Sequence, residues 1–184
     1  IPNENKYLDL RMFDVSEVNS LNDAFAYTEN IYDNIDTRGW DTSNVTSLVG
    51  TFGVCYGISE LDLSHWNVDR VTSMGRMFYY ALNLASINLS NWNLTRVEQM
   101  SEMFSACGAL TDLIMDNAIL PKIDLNIALH NSPNLTVESL ESVLNALPQL
   151  SSGESHYIQL GSTNIDKLSD TQKAIAINKG WTLQ

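Results

Sequence analysis

WDTSNVTSLVGTF (Trp40–Phe52), WNVDRVTSMGRMF (Trp66–Phe78) and WNLTRVEQMSEMF (Trp92–Phe104) are copies of one pattern set 26 residues apart. Tryptophan, valine and phenylalanine return at the same places: Trp40, Trp66, Trp92; Val45, Val71, Val97; Phe52, Phe78, Phe104. A chain that repeats its largest apolar residues at a short fixed period stacks copies of one supersecondary unit, because a single copy cannot bury its own apolar face. An earlier copy starts at Leu8-Asp9-Leu10 and has Phe13 in the tryptophan place, with Val18, Leu21 and Phe25 following. The apolar opening returns at Leu113-Ile114-Met115, Ala118 then takes the tryptophan place, and the period breaks.

Within a copy, Leu61-Asp62-Leu63 and Ile87-Asn88-Leu89 alternate apolar, polar, apolar, the period of a short half-buried strand. Downstream, Val71, Met74, Met77, Phe78 and Ala81 fall on one face of a helix of about three turns, and Val97, Met100, Met103, Phe104 and Cys107 repeat that spacing. The pattern predicts an α/β fold: a leucine-rich-repeat-like right-handed solenoid of about six coils, with short parallel strands near 61–63 and 87–89 on one face and helices near 72–81 and 98–107 on the other. Residues 1–184 read as a single domain, regular over 1–112 and closed over 113–184 by diverged coils and a C-terminal cap. In that cap Thr136 is set to start a helix through Val137, Leu140, Val143, Leu144 and Leu147, ahead of Pro148. Ser169 with Gln172 forms a capping-box pattern, Gly180 marks a helix stop, and Trp181 and Leu183 return as an edge strand or extended plug.

From Trp40 to about Leu113 the chain resembles the BspA-like leucine-rich-repeat surface proteins, whose pattern runs close to W-[ND]-T-S-x-V-T-x-M-x-x-M-F-x-x-C-x-x-L-x-x-L-D-L-S. The closing segment LSDTQKAIAINKGWTLQ, from Leu168, is similar to the C-terminal cap of such proteins in gut Bacteroidetes. The resemblance implies an exported protein at the cell surface or outside the cell, in a family with adhesins that bind host matrix proteins or other cells. Leu48 stands where methionine is usual and Ala81 replaces the cysteine. These departures touch packing alone.

Ten Lys and Arg against 22 Asp and Glu leave a net charge of −12, which repels nucleic-acid backbones and anionic membranes. No apolar run is long enough to span a bilayer, and a chain starting at Ile1 leaves a removed signal or lipid anchor open. Cys55 and Cys107 hold equivalent places two copies apart, about 10 Å at the spacing of adjacent strands. A disulfide needs less than about 7 Å, so both are expected to be free and buried.

The candidate binding surface is the polar row on the strands: Asp9, Asp36, Asp62 and Asn88. At the inter-strand spacing of roughly 4.8 Å these carboxylates would raise one another's pKa, and the row would hold a cation, take a basic partner or remain a solvated face. Arg11 and Arg38 lie two residues after Asp9 and Asp36 and are placed to neutralise part of it; His65 sits beside the row in a solvated turn. Asp62, Ser64 and His65 are too close in one extended segment to form a catalytic triad, and His130 and His156 lack metal-ligand spacing. No catalytic residue, metal or cofactor is assigned. The expected function is a non-enzymatic, adhesin-like module binding an extracellular protein or glycan, the alternative being a structural spacer of a larger surface protein.

Overall fold

The computed structural model describes residues 7–28 and 33–184. Five three-residue strands begin the repeats: β1 (Tyr7–Asp9), β2 (Asn34–Asp36), β3 (Glu60–Asp62), β4 (Ser86–Asn88) and β5 (Asp112–Ile114). β1 pairs in parallel with β2, and β3, β4 and β5 form a second parallel sheet in which Leu61, Ile87 and Leu113 share one register. Parallel partners one repeat apart require the intervening chain to cross back, which is what the 26-residue step supplies. Between β2 and β3 the ladder thins, and Ser59 N–H donates to the Asp33 carbonyl at 3.0 Å. A second line of parallel bridges joins Ser20, Ser47, Ser73 and Gln99.

Residues 72–81 and 98–107 are not helical, which corrects the expectation from their apolar spacing. Arg76 and Tyr80 have φ of 57°, and Glu102 and Ala106 have φ of 57° and 61°. A left-handed residue at every fourth place interrupts an α-helix, at about 1–2 kcal/mol each for a side chain with a Cβ. The N–H groups of Met74, Arg76, Phe78 and Tyr80 donate to the carbonyls of Gln99, Ser101, Met103 and Ser105 in the next copy. Those of Met77, Tyr79 and Ala81 close turns on the carbonyl three residues back. Paired four-residue turns bring Met74, Met77, Phe78 and Ala81 inward at the spacing a helix would use, so the burial was readable and the backbone was not. All four are at most 1% exposed.

The core is a ladder of rings. Phe25, Phe52, Phe78 and Phe104 stack with centroids 5.0, 5.8 and 5.5 Å apart. Trp66 and Trp92 are buried, and half-buried Trp40 stacks on Trp66 at 6.1 Å. Each indole N–H reaches back one copy: Trp40 to the Leu10 carbonyl, Trp92 to the Leu63 carbonyl and Trp66 to the Thr37 hydroxyl, all at 2.9 Å. Phe13, which lacks that donor, is 63% exposed. Cys55 and Cys107 are buried free thiols whose Sγ atoms donate to the carbonyls of Phe25 and Phe78 at 2.7 and 3.1 Å. Burial pushes the Cys107 thiol up to about 12.

Among the described residues α-helices occur only at the C-terminal end: α1 (Val137–Ala146), α2 (Ser162–Lys167) and α3 (Asp170–Asn178). Thr136 Oγ1 caps α1 by accepting from Ser139 N–H at 3.2 Å, and Ser169 with Gln172 completes a capping box on α3. Gly180, at φ 90°, turns the chain into β7 (Trp181–Leu183), which pairs in parallel with β6 (His156–Ile158). Ile123-Asp124-Leu125 forms no strand, and Leu125 alone bridges to Ile158. The architecture is mixed α/β, with short parallel strands and few helices.

Candidate functional site

Asp9 stands opposite Asp36 and Asp62 opposite Asn88, the two pairs lying in separate sheets, and each side chain first serves its own backbone. Their Oδ1 atoms accept from the N–H two residues on, at Arg11, Arg38, Ser64 and Ser90, at 2.9–3.1 Å. These are Asx turns that end the strands. A second row follows the tryptophan place, where Asp14, Asp41, Asn67 and Asn93 do the same for Ser16, Ser43, Asp69 and Thr95.

The rungs of the first row are not equal. Asp36 is only 6% exposed, and Arg38 grips it through Nε at 2.9 Å and Nη2 at 2.6 Å. Arg11 Nε stands 3.4 Å from the same carboxylate, which also accepts the Tyr7 hydroxyl. The Arg38 hydrogen bonds, with help from Tyr7, hold the Asp36 carboxyl far below the usual range. Asp9 is lowered in the same sense by Arg11. The expected mutual raising of pKa therefore fails at both rungs, because arginines, not neighbouring carboxylates, are the nearest charges. Asp62 is exposed, Asn88 half-buried, and Asp36, Arg38 and Asp62 line a shallow cavity of about 270 Å³ with Tyr7 and Asn34.

His65 turns away from that row, its Nε2 lying 3.1 Å from Thr37 Oγ1. Ser64 Oγ donates to Asp62 Oδ1 at 2.7 Å, so serine, histidine and aspartate do not form a proton relay here. Among the described residues no group of three or more His, Cys, Asp or Glu side chains is placed to hold a metal ion. No described helix is long and apolar enough to cross a membrane.

The turn face carries a surface that sequence reasoning missed. Tyr79 and Tyr80 have ring centroids 4.6 Å apart, and the Arg76 guanidinium lies over the Tyr79 ring at 5.4 Å. Arg76 Nε also meets Glu102 Oε2 at 2.7 Å. Arg76, Tyr79, Tyr80 and Glu102 line a groove of about 510 Å³ with Ser105 and Asn131. A second depression of about 300 Å³ lies between Tyr27 and the same Arg76 and Tyr79, floored by Gly50 and Gly53. The signal in the sequence was the Tyr79-Tyr80 pair itself, standing where the neighbouring copies have Gly53-Val54 and Ser105-Ala106.

A family model described as "Mycoplasma protein of unknown function, DUF285" matches residues 3–117, ending beside Ala118, where the tryptophan place is lost. No curated protein and no solved structure gives a match.

Proposed function

The chain belongs to the DUF285 family across residues 3–117, and from that premise we propose that it is an exported, non-enzymatic repeat module that binds a protein or glycan at the cell surface. In this reading it is a BspA-like member, and its parallel copies continue as one right-handed solenoid. The observation that supports it is the division of labour across each repeat. Apolar side chains are consumed by the ring ladder, while polar side chains on both faces are fixed by Asx turns and backbone ladders. Such a body presents extended, pre-ordered surfaces, and pre-ordering lowers the entropy lost on binding. Asp9, Asp62, Asn88 and Arg38 are strand-face residues that remain at least partly open to a partner.

A structural spacer of a larger surface protein is the second reading, supported by the continuous stack from Phe25 to Phe104. Surfaces coated with the purified protein and exposed to intact epithelial cells, to purified matrix proteins and to glycans separate the two. Saturable adhesion competed by soluble protein is expected for a binding module. Absence of saturable binding to cells, matrix proteins and glycans alike would leave only the spacer.

A further inference from the structure

We propose that the turn face around Tyr27, Tyr79 and Tyr80 is a binding site for a neutral oligosaccharide; this rests on the reading of the chain as a surface binding module. Tyrosine offers an apolar ring with a polar tip, which suits a sugar, whose C–H faces lie on aromatic rings while its hydroxyls need hydrogen-bond partners. Tyr27 is 74% exposed and Tyr80 42%, both too open to contribute much to the core. Both sit in left-handed backbone, at φ of 60° and 57°, where glycine would be free of strain. Val54 and Ala106 fill the same left-handed place in the other copies, so the backbone belongs to the repeat and the large exposed ring is what sets Tyr27 and Tyr80 apart.

The polar partners are in place beside the rings. The Arg76 guanidinium gives one of its five N–H donors to Glu102, and its side chain is 62% exposed. Asn131 Nδ2 and Ser105 Oγ lie 3.4 Å apart at the other side of the groove. Arg76 and Glu102 cancel each other's charge, so this groove is close to neutral on a chain of net charge −12, while the adjoining depression adds the Asp23 carboxylate as an acceptor for ligand hydroxyls. An uncharged ligand fits it.

The two depressions share Arg76 and Tyr79 and therefore adjoin. Tyr27 and Tyr80 belong to copies two steps apart, about 10 Å at the inter-strand spacing, the reach of more than one sugar ring. Gly50 and Gly53 keep the floor between them low. A Cβ on Gly53 would press to 3.1 Å on the Gly50 carbonyl, and one on Gly50 would collide with the Asp23 carboxylate. A protein partner would ask for a broad patch of about 800 Å² with an apolar centre, which these open, mixed depressions do not offer.

The test is calorimetric titration of the 184-residue protein with neutral hexasaccharides of β-glucan, α-mannan and galactan type. At least one should bind saturably. Tyr80→Ala and Tyr27→Ala should each weaken it by about ten-fold, Tyr80→Trp should keep it, and Glu60→Gln at an exposed place in strand β3 should leave it unchanged. An unaltered thermal midpoint for the tyrosine variants excludes unfolding as the cause. Binding that survives both alanine variants, or that Glu60→Gln removes, overturns the site. Cell or matrix adhesion without binding of any hexasaccharide overturns the glycan and leaves the module standing; failure of both removes the two together.

Discussion

Arg38 closes on Asp36 from two residues away, with Nε at 2.9 Å and Nη2 at 2.6 Å on a carboxylate that is almost wholly buried. The arginine remains largely exposed, so the pair faces solvent on one side only. Because the Asp36 pKa is depressed on folding, its contribution is fully present above the unfolded carboxylate value of about 3.9 and is lost as pH falls towards the folded one. Urea denaturation from pH 7 to pH 2 should show wild type losing stability steeply below about pH 4, and Asp36→Asn losing less. Parallel curves for the two would contradict the pairing.

The ring ladder sets the largest single-site energies. Phe78 is fully buried between Phe52 and Phe104, and Phe78→Ala should cost about 3–5 kcal/mol in chemical denaturation. Trp92→Phe keeps the ring but strips the N–H that the Leu63 carbonyl receives at 2.9 Å, and should cost about 1–3 kcal/mol. A neutral Phe78→Ala would place the core elsewhere.

Asn164 anchors the C-terminal region. Its buried Nδ2 donates to the carbonyls of Leu129, Ser132 and Leu160 at 3.0, 3.3 and 3.1 Å, while Lys167 donates to its Oδ1 at 3.2 Å. Asn164→Leu takes the side-chain donor from three buried carbonyls, of which those of Leu129 and Ser132 keep a backbone N–H, and should destabilise by about 1–3 kcal/mol, measured by the thermal midpoint. Lys167→Met, which strips charge from a half-buried head group, should cost less.

Buried Gly50 and exposed Gly108 should differ in tolerance. Gly50 has φ of 63° and faces the Asp23 carboxylate, whereas a Cβ on Gly108 meets nothing within 4 Å. Gly50→Ala should destabilise by about 1–2 kcal/mol and Gly108→Ala by less than about 0.5 kcal/mol, compared by urea midpoints.

The 26-residue step made the parallel register legible, because Leu61, Ile87 and Leu113 must coincide if the valines and phenylalanines do. The caps at Thr136 and Ser169 were legible for the same reason that they work: a hydroxyl three residues before a partner amide is a local rule. The turn ladder was not. Met74, Met77, Phe78 and Ala81 fit a helical face, and nothing in side-chain periodicity distinguishes a donor that goes four residues back from one that crosses to the next copy. At the candidate site the repeat placed Asp9 opposite Asp36 and Asp62 opposite Asn88, in two separate sheets. It could not show that Asp36 would be buried under Arg38 or that Tyr79 and Tyr80 would open a groove on the far side, since both depend on contacts between copies.

The central claim is that repeats are held together by backbone hydrogen bonds running between copies on the turn side as well as on the strand side. Scalar couplings transmitted through hydrogen bonds in the NMR spectrum of the labelled protein read this directly. The amide nitrogens of Met74 and Phe78 should couple to the carbonyl carbons of Gln99 and Met103, the partners found at 2.8 and 3.0 Å. Coupling of Phe78 to the Met74 carbonyl instead, the signature of an α-helix over 72–81, would contradict it.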